Sequence, residues 1–348
     1  MQLRFWQFDL QLTYTWAISR SAGTNIFKVV LLELQGSDGT LGRGESAPIR
    51  RYDESVDTVM TFLQKVDPKR LSFDDIPGSM EYLESVDHGN MAAKCAVNVA
   101  LVDGAAKKAG QAVCDLLGLG FRENHHVTSF SIGIDKPEVI RKKVLAAEPY
   151  PVLKLKVGGP DDKLNLAALR EAAPTKTVRV DANEGWSTKE QALEMLQWLA
   201  TDGHIQFCEQ PMPAKTEAKD LMWLKERTPV PIFGDESYHF AEDVEHCAKC
   251  YHGVNVKLTK TGGISEGYAA LKAARDAGLK TMLGCMIETS VLISAGAHLA
   301  ELTDYLDVDG NILITNDPYE GVTSEKGILS FAHTFEKTGL RVRSRVRS

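Results

Sequence analysis

The sequence contains no apolar run that reaches the roughly 18 residues needed for a membrane-spanning helix. Its first residues, MQLRFWQFDLQLTYTW, alternate apolar and polar side chains as a strand does. They lack the basic, apolar and small-residue order of a secretory signal. We therefore expect a cytoplasmic protein that has no membrane partner.

Positive charge does not predominate, and the cysteines form no obvious framework. The chain has 40 Lys and Arg against 47 Asp and Glu, which gives a net charge of −7. The only basic cluster is RVRSRVRS at 341–348, so we expect no nucleic-acid partner. The six cysteines are scattered over 348 residues, which indicates reduced thiols rather than a disulfide framework.

One cysteine pair leaves two interpretations open. Cys247 and Cys250 form a C-x-x-C with His246 and His252 beside it, which could be half of a zinc site. No second C-x-x-C completes such a site, and a spacing of three residues also fits one face of a helix. The helical interpretation is the simpler one.

The order of elements predicts two units. Residues 1–50 are typical of strands, and residues 54–118 are typical of helices, most clearly MAAKCAVNVALVDGAAKKAG. From about residue 127, eight strand-like segments alternate with amphipathic helical ones. These strands are expected at 127–134, 152–157, 177–182, 205–209, 231–236, 253–259, 281–286 and 305–310.

Eight strands with a helix in each gap predict an α/β fold, a modified TIM barrel of the (β/α)7β type with an N-terminal α+β capping domain. We place the cap at 1–124 and the barrel at 125–321, and expect the segment from about 322 to 348 to pack back on the cap. A doubly wound open sheet is the alternative, but the Gly-rich fingerprint that would favour it is missing after the first strand.

Three carboxylates follow adjacent strands of the predicted barrel. Asp181 in VRVDANEGW, Glu209 in FCEQPMP and Asp235 in FGDES end the third, fourth and fifth strands. In such a barrel these strand ends form the active-site face. Three carboxylates left alone would raise one another's pKa, and a divalent cation removes that problem. All-oxygen ligation favours Mg²⁺ over zinc.

Three lysines near the predicted metal indicate the kind of reaction it would assist. Lys154 and Lys156 in VLKLKVGG share one face of the second strand, and Lys257 in VNVKLTKTGG ends the sixth. Strands two and six lie four steps apart in an eight-strand ring, so Lys156 and Lys257 face each other across the mouth. One could remove a proton next to a carboxylate and the other return it, giving an epimer or racemate. The charge of Lys154 would lower the pKa of Lys156 toward that of a useful base.

Two other classes remain open on these residues. One active-site lysine could form a Schiff base with a carbonyl substrate, as in barrel aldolases. The barrel could also be a metal-bound scaffold without turnover, although a scaffold has no need of two opposed lysines.

The motifs KLKVG, DAN followed by W, EQP, GDES and VKLTKTGG occur in this order on the expected strands. With them the chain resembles the enolase superfamily, in particular its muconate-lactonizing subgroup, over nearly its whole length. The resemblance implies an acid/base pair, Lys156 and Lys257, with Lys154 supporting the enolate. It also implies Mg²⁺ as cofactor, with ligands at Asp181, Glu209 and Asp235, and places Glu236 beside a ligand.

The subgroup catalyses muconate cycloisomerisation, dehydration to o-succinylbenzoate, racemisation of N-acylamino acids and epimerisation of dipeptides. Asp307 and Asp309 in YLDVDG lie two residues apart, hence on one face of the last strand, and resemble the D-x-D motif of dipeptide epimerases. Two rim carboxylates suit an ammonium group, which among these substrates only a dipeptide carries. We expect a dipeptide epimerase; N-acylamino acid racemase and o-succinylbenzoate synthase are the alternatives.

Substrate contacts are expected from three further places. Arg20 in the cap's first loop resembles the arginine that Ala-Glu epimerases use for the distal carboxylate. Ser131, at the end of the first strand, should meet the peptide or carboxylate group, and Glu288 in CMIETS either lines the pocket or forms an ion pair. The expected partner is a small dipeptide, L-Ala-D/L-Glu or a related X-Glu. Cell-wall peptide metabolism and a homo-oligomer are implied by the resemblance alone.

Overall fold

The computed structural model describes residues 1–345, so the last three residues of the basic cluster lie outside it. The chain begins with an antiparallel sheet in the order β1 (Gln2–Ile18), β2 (Ser21–Gln35), β3 (Leu41–Ser46). Alternate apolar residues of β2, namely Val30, Leu32 and Leu34, are buried in a core cluster of the cap. Among the described residues, no helix is long and apolar enough to cross a membrane.

The helices of the cap pack on this sheet: α1 (Val56–Gln64), α2 (Ile76–Val86), α3 (Met91–Lys108) and the short α4 (Val113–Leu116). Most of α3 is buried, because it lies between β3 and the barrel helices that follow the sixth barrel strand. Small residues permit this approach. A Cβ on Gly44 would stand 1.9 Å from the carbonyl oxygen of Ala96, and one on Gly42 would stand 2.1 Å from that of Ala100.

The second unit is the predicted barrel, an eight-stranded parallel sheet in which each strand pairs with the next in sequence. Its strands are β4 (Phe130–Ile132), β5 (Val152–Lys156), β6 (Thr177–Asp181), β7 (Ile205–Glu209), β8 (Ile232–Gly234), β9 (Gly253–Lys257), β10 (Lys280–Gly284) and β11 (Tyr305–Asp307). A bridge between Thr128 and Leu306 joins the last strand to the first and closes the ring. The prediction of a capped (β/α)7β barrel is confirmed.

Helices fill the gaps between these strands: α5 (Pro137–Ala146), α6 (Asp162–Ala172), α7 (Lys189–Ala200), α8 (Ala218–Arg227), α9 (Val244–Cys250), α10 (Leu258–Thr261), α11 (Ile264–Asp276) and α12 (Ser290–Ala297). After β11 a short ribbon takes the place of an eighth helix; in it β12 (Tyr319–Glu320) pairs with β13 (Arg343–Ser344). Leu340 N–H donates to Asp103 of α3 at 2.8 Å, so this segment touches the cap.

Alternation along each barrel strand separates the core from the site. On β5, Leu153 and Leu155 are fully buried in the main apolar cluster, whereas Lys154 and Lys156 turn inward and reach carboxylates of the neighbouring strands. Below them the barrel interior is closed by stacked rings, with Phe207 and Phe233 4.2 Å apart between centroids. The barrel is therefore packed at one end and polar at the other.

Several barrel strands are shorter than expected, most of all the first, which spans Phe130–Ile132 rather than 127–134. The eighth strand ends at Asp307, because Asp309 leaves the extended conformation (φ −108°, ψ 4°) and begins a short 3₁₀ turn. The zinc interpretation of the C-x-x-C is wrong for the described residues: Cys247 and Cys250 are buried on one face of α9, and the Cys247 thiol donates to the Ser237 carbonyl at 3.2 Å.

Candidate active site

The register of the parallel strands brings the predicted strand-end residues to one level. Lys156 pairs with Asp181 across β5 and β6, and Asp181 pairs with Glu209 across β6 and β7. On the other side of the ring, Gly284 of β10 pairs with both Lys257 and Asp307. One layer of the barrel therefore carries these charged side chains at the carboxyl ends of the strands.

The centre of the layer is a cluster of three buried carboxylates. Ligand oxygens of Asp181, Glu209 and Asp235 lie within 4.8 Å of one another. Burial and the neighbouring Asp181 raise the pKa of Glu209 to about 8, which reflects the cost of holding these charges together. The donor set is all oxygen and its members lie close enough to share one ion, so the residues present fit a hard divalent cation such as Mg²⁺.

Lysines surround this cluster. The Nζ of Lys156 lies 2.6 Å from Asp181 Oδ2, and that of Lys257 lies 2.7 Å from Asp235 Oδ2. These two lysines therefore flank the cluster, each on a different outer carboxylate. Burial lowers the pKa of Lys257, but Asp235 and Glu209 outweigh that effect and hold the pKa above its usual value.

Lys154 has a different position from Lys156. Its Nζ lies 2.6 Å from Glu209 Oε2, 2.7 Å from Asp307 Oδ2 and 3.2 Å from Asp181 Oδ2, and its side chain is 1% exposed. Burial opposes its charge, yet these carboxylates raise its pKa well above the ordinary value. Lys154 thus provides a fixed positive charge that joins the metal cluster to the D-x-D segment.

The two carboxylates of the D-x-D segment lie around Ser131. Asp307 accepts from the Ser129 hydroxyl at 2.7 Å and pairs with Lys154, while Asp309 accepts the Ser131 N–H at 2.6 Å. Both are buried rather than at an open rim. Burial and the nearby Asp307 raise the pKa of Asp309 to about 7, and no described residue forms an ion pair with it.

Arg20 reaches the same mouth from the cap, in the turn between β1 and β2. Its Nη2 lies 2.5 Å from Glu236 Oε1, and its Nη1 lies 3.2 Å from Glu184 Oε2. Burial lowers the pKa of Arg20, and its attraction to Glu236 more than offsets this, leaving the pKa raised. The structure therefore brings Arg20 to the site with its charge already balanced by carboxylates.

Glu288 is buried at the end of the seventh strand and accepts the Met286 N–H at 3.0 Å. Burial raises its pKa to about 7. Its neighbour is Glu45 of β3, whose carboxylate accepts from the backbone and hydroxyl of Thr289 at 2.8 and 2.6 Å. Burial and Glu288 raise the pKa of Glu45 to about 8. This pair of acids joins the cap to the barrel beside the site.

Sequence reasoning missed three charged residues here. Lys260 is fully buried, and its Nζ lies 2.5 Å from Asp235 Oδ1, on the opposite oxygen from Lys257. The second lysine of VKLTKTGG was the available signal. It lies beyond the strand on one turn of helix, where the alternation of strand residues does not predict which way a side chain points. Glu184 and Arg51 form a bidentate pair at 2.7 and 2.8 Å between barrel and cap, which no local pattern indicates.

Comparisons with known proteins agree with this architecture. Residues 16–118 match the mandelate racemase / muconate lactonizing enzyme N-terminal domain, and residues 139–322 match the enolase C-terminal domain-like family. An L-Ala-D/L-amino acid epimerase of Pedosphaera parvula is 67% identical over 99% of this chain and 100% of its own length. An L-Ala-D/L-Glu epimerase of Bacteroides thetaiotaomicron is 35% identical over 94% of this chain and 84% of its own.

A solved structure is similarly close in fold. The dipeptide epimerase of Cytophaga hutchinsonii, complexed with Mg and the dipeptide D-Ala-L-Val, superimposes with a TM-score of 0.91 at 28% identity, over 99% of this chain and 95% of that one. The chain therefore belongs to the mandelate racemase / muconate lactonizing enzyme family of the enolase superfamily, and it is an isomerase.

Proposed function

We propose that the protein is a Mg²⁺-dependent dipeptide epimerase that inverts the α-carbon of the C-terminal residue, with L-Ala-D/L-Glu or a related X-Glu dipeptide as substrate. One observation carries the proposal: Lys156 and Lys257 flank a cluster of three carboxylates, each lysine on a different outer member. The names of the relatives, which are epimerases of L-Ala dipeptides, support the substrate class.

The proposed reaction is a proton transfer between two faces of the substrate. Asp181, Glu209 and Asp235 would hold the metal. When bound, Mg²⁺ supplies positive charge that stabilises the enolate and offsets the negative charge of the carboxylates with which the lysines pair. One of Lys156 and Lys257 accepts the α-proton as a neutral amine, and the other, as an ammonium, delivers a proton to the opposite face. Lys154 adds a fixed charge that favours the enolate.

The D-x-D segment would receive the substrate's ammonium group. Asp309 is a buried carboxylate that accepts the Ser131 N–H and has no ion-pair partner among the described residues, so the ammonium of a dipeptide would supply a cation there. Ser131 presents its hydroxyl beside the same carboxylates, 3.4 Å from Asp307. An N-acylamino acid or a succinylbenzoate precursor brings no such cation, so this feature favours a dipeptide over both alternatives.

The second side chain would meet Arg20. A glutamyl carboxylate can accept from its guanidinium, which is one-quarter exposed. The same guanidinium already pairs with Glu236 and Glu184, so its charge is largely balanced. A dipeptide with an uncharged second side chain would therefore bind only slightly more weakly than one with a glutamyl carboxylate. This observation favours a second candidate, an epimerase of L-Ala-X with neutral X, in keeping with the name of the Pedosphaera parvula relative.

The test is epimerisation followed by chiral chromatography, with Mg²⁺ and with EDTA. The substrates are L-Ala-L-Glu, its neutral isostere L-Ala-L-Gln, L-Ala-L-Leu and N-succinyl-L-glutamate. We expect Mg²⁺-dependent formation of the L,D dipeptides, and an Arg20→Met variant that loses activity on the Glu dipeptide more than on the Gln dipeptide. Turnover of the N-succinyl compound alone would contradict the proposal; equal rates on Glu and Gln dipeptides would select the second candidate.

A further inference from the structure

Glu184 is the common partner of two arginines from the cap. Its carboxylate accepts Nε and Nη2 of Arg51 at 2.7 and 2.8 Å, and its Oε2 lies 3.2 Å from Arg20 Nη1. Its Oε1 also accepts the N–H of Ala214 at 2.8 Å. The side chain is 11% exposed, so these contacts are largely shielded from solvent.

These four residues come from four separate loops. Arg20 lies in the turn between β1 and β2, and Arg51 lies in a 3₁₀ turn that precedes α1. Glu184 follows β6 and Ala214 follows β7, at the carboxyl ends of the strands that carry two of the three clustered carboxylates. One carboxylate therefore ties both loops of the cap to two loops of the barrel mouth.

The backbone at this point is held in an unusual conformation. Asn183 and Glu184 have φ values of 44° and 67°, in the left-handed region that residues other than glycine rarely adopt. Such residues persist where the surroundings fix them, and they concentrate at functional sites. Here the conformation turns the Asn183 carbonyl toward the hairpin tip, where it accepts from the Ser19 hydroxyl at 3.0 Å and from Arg20 at 3.1 Å.

A comparable carboxylate at the other end of the barrel provides a reference. Glu301 accepts Nε of Arg122 at 2.9 Å and also lies 2.8 Å from Arg122 Nη2 and from His126 Nε2, and its side chain is 15% exposed. It precedes β11, and its partners precede β4, so it lies at the amino ends of the strands. Glu184 and Glu301 thus form similar arginine pairs, but only Glu184 reaches residues at the mouth.

We propose that Glu184 is a positioning residue: it holds the two cap loops over the mouth through Arg51 and Arg20, and so places the Arg20 guanidinium toward the substrate's second side chain. The inference rests on the proposed function and deepens it. Contacts of this kind act on the bound substrate before and during proton transfer alike, so their loss weakens binding and leaves the chemical step largely intact.

The test compares Glu184→Gln with Arg51→Met and with the matched control Glu301→Gln. The glutamine keeps an acceptor for Ala214 N–H but removes the charge that Arg51 and Arg20 share, while the contact of Arg20 with Glu236 remains. For L-Ala-L-Glu we expect KM to rise about tenfold in Glu184→Gln, which corresponds to about 1.4 kcal/mol. We expect kcat to stay within about threefold, and Arg51→Met to change in the same direction. Glu301→Gln should lower the thermal midpoint without moving KM.

A KM within twofold of wild type in folded Glu184→Gln and Arg51→Met, or an equal rise in Glu301→Gln, overturns the proposal. If Glu184→Gln does not fold, Arg51→Met decides, since Arg51 is 30% exposed. Amide hydrogen exchange of residues 19–21 and 50–53 gives a readout without substrate: it should accelerate in both mouth variants and not in Glu301→Gln. Unchanged hydrogen exchange in the mouth variants overturns the proposal, whether or not a dipeptide is a substrate. The finding that no dipeptide is a substrate would refute only the proposed function.

Discussion

Replacing Asp309 with Asn should make the protein more stable and less active at the same time. The pKa of Asp309 is raised from 3.8 to about 7, chiefly by burial and then by Asp307. Above pH 7 the folded state therefore carries a poorly compensated charge that the unfolded state solvates freely. At 1.36 kcal/mol per pKa unit, that difference is on the order of 4 kcal/mol.

The sign follows from proton binding. Between pH 4 and 7 the folded carboxyl keeps a proton that the unfolded one releases, so the stability of the wild-type protein falls as the pH rises through this range. Asn cannot ionise, and its amide can still accept the Ser131 N–H. Because burying an amide also costs free energy, we expect a net gain of about 2 kcal/mol at pH 8. The gain should shrink as the pH falls, and well below pH 3.8, where the carboxyl is protonated in both states, only the cost of burying the amide should remain.

The effect on activity has the opposite direction. If Asp309 receives the substrate's ammonium, the variant loses a charge-assisted contact of about 1.5–3 kcal/mol, and kcat/KM for L-Ala-L-Glu falls roughly 10- to 100-fold. The matched probe is N-propionyl-L-glutamate, which is the same molecule without the ammonium group. Its inhibition constant should be nearly unchanged, because it makes no contact of this kind.

Thermal unfolding at pH 4, 6 and 8, together with kinetics for both compounds, checks these expectations. The reasoning is refuted if Asp309→Asn lowers kcat/KM for L-Ala-L-Glu and weakens inhibition by N-propionyl-L-glutamate by the same factor. It is also refuted if kcat/KM for the dipeptide stays within twofold of wild type. A loss of stability at pH 8 would show that the charge of Asp309 is compensated by the protein itself.

Three further predictions concern Glu45, the packing at Gly44 and the carboxylate cluster. The pKa of Glu45 is raised to about 8, so between about pH 4.5 and 8 its contribution to stability falls as pH rises; in Glu45→Gln the thermal midpoint should depend less on pH, and an unchanged pH profile would contradict this. Gly44→Ala should destabilise the cap by about 1–3 kcal/mol or prevent folding, because its Cβ would stand 1.9 Å from the Ala96 carbonyl; urea unfolding measures this, and a neutral effect would contradict the packing described. Added Mg²⁺ should raise the thermal midpoint, and EDTA should reverse the rise; Asp181→Asn should show neither response, because it removes one of the three clustered carboxylates.

The strand-end residues could be predicted from sequence because two simple periodicities fix them. Alternation decides that Lys154 and Lys156 face inward, and parallel register brings Lys156 level with Asp181 and Asp181 level with Glu209. The order of strands around a barrel then decides which side chains meet. The same reasoning placed Asp307 and Asp309 on one side although the strand ends between them, because Val308 still packs outward against α12 at Gly296.

The loops could not be predicted in this way. Lys260 reaches Asp235 only because one helical turn follows β9, and Glu184 reaches Arg51 through two left-handed residues. The contact between Glu184 and Arg51 also depends on the placement of the cap over the mouth. The partners of Arg20 were beyond prediction for the same reason: Glu236 lies more than two hundred residues away in the sequence but 2.5 Å away in the fold.

The central claim is that Lys156 and Lys257 serve opposite faces of one α-carbon, and α-proton exchange in D₂O tests it most directly. Proton NMR would follow the second residue of L-Ala-L-Glu and of L-Ala-D-Glu with Mg²⁺, in the wild type and in Lys156→Ala and Lys257→Ala. We predict exchange of both isomers in the wild type and no epimerisation in either variant. Each variant should still exchange one isomer only, and that isomer should differ between the two variants. Epimerisation that survives in either variant, or exchange of the same isomer in both, would contradict the two-lysine account.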